Sequence, residues 1–232
     1  MYSIEDRDRA QAHVLALADD DARVVESRLV GSLATDAGDR FSDLDLTFAV
    51  ADGVAVTDVL EDWSRTVERD LDGVRLFDLP AGPSIYRVFL LPGCLQMDIS
   101  FTPAAQFDAA RPGPPDEREL FGYAVHHVLR ARFSIERGRM WLAEYWVSMI
   151  RDYALSLACV RRGLPARYGR GFDDLPPDVV VPFEAAIVRS LEREELLRAL
   201  RVAADGLLRE AGVLADPIAA SLRALVDADA LS

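Results

Sequence analysis

Asp43 and Asp45 are two acids set one residue apart, and they follow a Gly31-Ser32 pair by a spacer of ten residues, LATDAGDRFS. The stretch Asp43 to Val50 (DLDLTFAV) alternates polar and apolar, the period-two signature of a strand with one wet face and one buried face. Residues i and i+2 on a strand lie about 6.5–7 Å apart, so both carboxylates can ligate one or two divalent ions. Their mutual repulsion is costly unless a cation or proton intervenes, and this pair therefore asks for a metal. Hard oxygen donors suit magnesium. Gly31 lets the backbone approach a phosphate closely, and the Ser32 hydroxyl with the amides after it can hydrogen-bond phosphate oxygens. A third acid stands in a second alternating run, Leu95 to Phe101. There Gln96, Asp98 and Ser100 face one way and Leu95, Met97, Ile99 and Phe101 the other.

The run Val30-Gly31-Ser32, the spacer and Asp43-Leu44-Asp45-Leu46 together resemble the signature of the nucleotidyltransferase superfamily, the polymerase-beta-like group. The internal Gly38-Asp39-Arg40-Phe41-Ser42 looks like the form found in antibiotic nucleotidyltransferases of the aminoglycoside and lincosamide kind. The resemblance implies Mg2+ held by Asp43, Asp45 and Asp98, with Asp98 serving either as a further ligand or as the base. It implies ATP or another nucleoside triphosphate bound near Gly31, Ser32, Asp43 and Asp45. A nucleoside monophosphate, with AMP the leading candidate, would pass to a hydroxyl of a small molecule, and antibiotic resistance would be the biological role. In kanamycin-type members a glutamate on a later helix is the base, and Glu144 looks similar. A basic residue usually follows it to contact the triphosphate. Here position 148 is serine, so Arg151 or Arg139 would serve. Two other readings stand beside this one: an enzyme that adenylylates a partner protein, and a catalytically idle nucleotide-binding scaffold.

The net charge of −13 bears on the partner. All 26 basic residues are arginine, scattered among 39 acids, with no block of the kind that grips a nucleic-acid backbone. Nucleic acid is disfavoured as substrate, and a cationic small molecule is favoured by the acidic surface. The best apolar run, Trp141 to Val160, is broken by Glu144, Arg151 and Asp152, so no membrane span is expected. The charged start MYSIEDRDRA is unlike a secretory signal, and Cys94 and Cys159 read as buried free thiols. These features point to the cytoplasm.

The elements that must position the acids follow from the punctuation. Helices are expected over Asp6–Ala18 and Val56–Leu71, and strands over Arg23–Val30, Asp43–Val50, Val74–Asp78, Ile85–Leu91 and Leu95–Phe101. The breaker cluster Arg111-Pro112-Gly113-Pro114-Pro115 sets a boundary between a catalytic domain, 1–115, and a helical acceptor-binding domain, 116–232. The fold class is α+β: a small mixed sheet backed by helices, then an all-helical bundle. Helical patterning covers Glu117–Arg132, Ser134–Arg162, Pro182–Leu191, Glu194–Ala211 and Pro217–Ala228. Trp141, Tyr145, Trp146, Met149, Ile150 and Tyr153 form an aromatic surface that could be bundle core or support a homodimer. His126-His127 reads as structural. The Arg167–Pro177 loop reads as a connector, with contact to nucleotide or acceptor as the other option.

Overall fold

The computed structural model describes residues 1–35, 38–108, 113 and 115–228. It is α+β and divides into two compact units, Met1–Pro112 and Gly113–Ser232. The breaker cluster at 111–115 lies largely outside the described residues.

The first unit runs α1 (Ile4–Asp20), β1 (Val24–Leu29), β2 (Leu44–Val50), α2 (Val56–Asp70), β3 (Val74–Ala81), β4 (Ser84–Leu91) and β5 (Leu95–Pro103). These are the expected elements in the expected order. The five strands form one sheet in the order β1-β2-β5-β4-β3. Only the central β2–β5 pair is parallel; the other pairs are antiparallel. The alternation in β2 and β5 turns Leu44, Leu46, Phe48, Met97, Ile99 and Phe101 to a fully buried face. On that face pack Ala10, Val14 and Ala18 of α1 with Val59, Leu60, Trp63 and Val67 of α2. Phe48, Phe101 and Trp63 meet there with ring centroids 4.8–5.2 Å apart. Burying such side chains supplies about 1.5–3 kcal/mol each, and it fixes which face of the sheet is left for polar residues.

Helix α1 begins at a capping box in which the Ser3 hydroxyl accepts from the Asp6 amide while the Asp6 carboxylate accepts from the Ser3 amide. The β3–β4 hairpin closes on Gly82-Pro83, with Gly82 at φ +59°, a conformation that suits glycine at the first turn position.

The second unit is helical: α3 (Glu117–Glu136), α4 (Met140–Arg161), α5 (Pro177–Glu184), α6 (Arg193–Ala211) and α7 (Ala219–Asp227). Its core joins Val128, Ile135, Val147, Ile150, Leu157, Leu200 and Leu207. Two helix expectations need correction. The helix expected from Ser134 starts at Met140, because α3 continues to Glu136 and the chain reverses at Gly138, where φ is +68°. The helix expected over Pro182–Leu191 instead spans Pro177–Glu184, starting on Pro177, whose missing amide proton costs nothing in a first turn. Cys159 is buried as expected, but Cys94 is exposed on a tight turn at φ +66°. Among the described residues, no helix is long and apolar enough to cross a membrane.

Candidate functional site

The parallel pairing of β2 with β5 sets Asp45 opposite Asp98, Thr47 opposite Ser100 and Ala49 opposite Thr102. Neighbouring strands lie about 4.8 Å apart, so this register makes Asp45 and Asp98 lateral neighbours on the polar face. Both are partly exposed, whereas Ser100 and Thr102 beyond them are buried. The buried hydroxyls are satisfied locally: Ser100 Oγ donates to Thr47 Oγ1 at 2.8 Å, and Ser84 and Thr102 share a bond of 2.6 Å. Gln96 Nε2 donates to Asp98 Oδ1 at 3.0 Å, which orients that carboxylate. Asp43 precedes β2 by one residue instead of sitting within it, so its side chain is not held by the ladder.

Gly31 follows β1 and has φ +70°. A Cβ built there would stand 2.0 Å from Asp45 Oδ2, so the turn lies directly against that carboxylate. The Val30 amide donates to the Asp45 carbonyl at 3.0 Å, locking the approach from the backbone side. Ser32 Oγ donates to Ser42 Oγ at 3.0 Å, tying the residue after the turn to the residue before Asp43. Ser42 Oγ also accepts from the Asp39 amide at 2.9 Å, and Asp39 Oδ1 accepts from the Phe41 amide at 2.8 Å.

Arg7 is a contributor that sequence reasoning missed. It is buried in α1, and its Nη1 donates to the carbonyls of Asp39 at 2.6 Å and Ser42 at 3.3 Å. Tyr2 Oη donates to the same Ser42 carbonyl at 3.1 Å. The segment leading into Asp43 is therefore fastened to the first helix. No motif announces this, since the partners are separated by more than thirty residues.

Glu144 and Arg151 lie on α4, in the helical unit. Ser148 Oγ donates to Glu144 Oε1 at 2.8 Å, one turn along the same helix. Arg151 is engaged by its neighbour: Nε donates to Asp152 Oδ1 at 2.9 Å and Nη2 lies 2.8 Å from the same oxygen. His127 is buried, with its ring 4.8 Å from that of Trp146 and 5.2 Å from that of Tyr153. Burial, and then the neighbouring His126, lower its pKa from the usual histidine value.

Among the described residues, no group of three or more His, Cys, Asp or Glu side chains is disposed to hold a metal ion. What the register brings together is the Asp45–Asp98 pair. A pair of hard carboxylates still fits magnesium, which is commonly bound by one or two carboxylates together with substrate phosphates and water.

No family model and no curated protein matches the sequence. Among solved structures, the chain is similar to an aminoglycoside 6-adenyltransferase from Bacillus subtilis, at 11% identity and a TM-score of 0.38. The match covers 93% of this chain and 96% of that one. A likeness at that level carries no argument about activity.

Proposed function

We propose that the chain is a nucleotidyltransferase that moves a nucleoside monophosphate, AMP from ATP in the leading case, onto a hydroxyl of a small molecule. The observation that supports it is the Asp45–Asp98 register on parallel strands, with the glycine turn pressed against Asp45. Two adjacent carboxylates on one polar face repel each other, and a divalent cation relieves that repulsion. Asp45 and Asp98 would hold Mg2+, with Asp43 close by in sequence. The ion would stabilise charge on the attacking and leaving oxygens of an in-line displacement at phosphorus.

The other roles fall to the chain. Gly31 and Ser32 form the turn along which a triphosphate can lie, and the Ser32–Ser42 bond with the Arg7 clamp holds that turn in place. A base must take the acceptor proton within hydrogen-bond reach. If Glu144 does not fill that role, Asp98 takes the proton instead of ligating the ion, and Asp43 and Asp45 would then hold Mg2+. Arg151 would contact the triphosphate, which requires it to exchange its Asp152 partner for phosphate. The acceptor is a small hydroxylated molecule, with cationic antibiotics the first class to try because of the net charge of −13.

Incubation with each nucleoside triphosphate, magnesium and an antibiotic panel is expected to release pyrophosphate and yield a mass-shifted small molecule. Asp45→Asn is expected to lower turnover by at least about a thousandfold without changing the circular dichroism spectrum, a loss in the range of an essential electrostatic group. Full activity in that variant would remove the carboxylate pair from the chemistry. A normal rate in Glu144→Gln would assign the base to Asp98. Label on a co-purified protein would move the reading to protein modification.

A further inference from the structure

Within the helical unit, α3, α4 and the loop after α4 line an open cavity of about 520 Å³. That volume lies in the range of about 300–1,000 Å³ typical of small-molecule sites. Its wall is aromatic: Tyr123, Tyr153, Tyr168 and Phe172 all line it. The Tyr123 and Tyr153 rings are stacked, with centroids 5.8 Å apart and planes inclined by 28°. Behind Tyr153 lies the His127 ring, tilted against it at 5.2 Å and stacked in turn on Trp146 at 4.8 Å.

The charge on the lining is mixed but leans negative. Two acids, Glu119 and Asp152, line it together with one arginine, Arg167, whose Nη2 donates to the Gly113 carbonyl at 3.2 Å. Asp152 is met by Arg151, while Glu119 accepts from Tyr123 Oη at a long 3.4 Å. The Tyr153 phenol is pushed above its ordinary pKa, first by burial and then by Tyr123, Tyr145 and Glu119. Burial, the first of these causes, resists a charge of either sign, so a cation would be drawn here by the Glu119 carboxylate and the ring faces.

Tyr168 supplies an independent sign. It holds φ +60°, a left-handed conformation that a bulky side chain disfavours, yet the residue is 90% exposed. Burial within the chain does not reward that strain. Backbone strain of this kind clusters at active sites, ligand clamps and switch regions.

We propose that this cavity binds an amphipathic organic cation. Its apolar body lies against Tyr123, Tyr153 and Phe172, its cationic head is held by Glu119 and the ring faces, and Tyr168 closes over it. The attraction of a cation to aromatic faces beside a carboxylate is the recognition chemistry. This goes beyond nucleotidyl transfer and does not depend on it.

Calorimetric titration of the full chain with benzyltrimethylammonium, benzyl alcohol and phenylacetate tests the idea. The cation is expected to bind at least about tenfold more tightly than the neutral alcohol, and the anion not at all. Glu119→Gln is expected to weaken the cation by about tenfold. Tyr168→Gly is expected to weaken it several-fold while raising Tm, because glycine accepts the left-handed backbone. Both side chains are exposed, so both variants keep the fold. The proposal is overturned by equal binding of cation and alcohol, by tighter binding of the anion, or by no binding of any probe. Undiminished cation binding in either variant also overturns it.

Discussion

At Gly31 the constraint is set by a residue that only the fold brings near: the Asp45 carboxylate fills the space a side chain would need. The turn also requires φ +70°, so an alanine there is both strained and overlapping. Gly31→Ala is expected to lower stability by about 1–3 kcal/mol in urea denaturation, the common cost of one backbone conflict. If the carboxylate pair does the proposed chemistry, the displacement of Asp45 lowers pyrophosphate release by about a hundredfold or more. Stability lost with activity intact would separate the turn from the chemistry. The Gly-Ser pair and the alternating acids were legible in the sequence because strand periodicity is local. The Arg7 clamp on Asp39 and Ser42 was not, because a buried arginine on an amphipathic helix carries no local mark of its distant partners.

Charged ties join elements to one another, and one of them centres on Asp21. Asp21, where α1 ends, accepts from Arg23 Nε at 2.9 Å and from Trp63 Nε1 of α2 at 2.8 Å. Arg23 Nη1 in turn donates to Asp62 of α2 at 2.7 Å. The Arg23 hydrogen bonds chiefly, opposed by burial and helped by Trp63, hold the Asp21 carboxyl down at about 2. A depressed carboxyl pKa stabilises the fold above its ordinary value of 3.8, and that contribution is lost as pH falls toward 2. Asp21→Asn is therefore expected to cost about 1–2 kcal/mol at pH 7, with the gap to the unaltered chain narrowing between pH 4 and pH 2. Urea midpoints measured across that window check it, and a gap that stays constant would contradict the charge-based account. The order of elements in the first unit was readable from two periods, 2 and 3.6, punctuated by glycine and proline. The α3–α4 junction was harder, because apolar residues recur at helical spacing on both sides of Gly138 and disguise the reversal. The start of α5 is hidden in the sequence because Pro182 has the residue type of a helix opener, whereas Pro177 already fills that position and Pro182 falls inside.

Among the described residues, two hydrophobic cores form that do not share residues. One joins Leu44, Phe48, Trp63, Met97 and Phe101; the other joins Val128, Val147, Ile150, Leu157 and Leu200. Each belongs to one of the two compact units, and each unit is of a size at which a domain can fold alone. In the helical unit α3 packs on α4, its neighbour in sequence, and α6 returns to pack on both, so the second core is closed by helices of this unit. A fragment spanning 113–232 is expected to be monodisperse, strongly helical by circular dichroism and cooperative in urea. Within it, Ile150→Ala is expected to remove about 2–4 kcal/mol, the cost of emptying a fully buried aliphatic site. A fragment that is helical but melts without cooperativity would mean that the second core is completed only in the intact chain. The aromatic cavity lies wholly within this unit, so a cooperative fragment should also retain the cation affinity of the full chain.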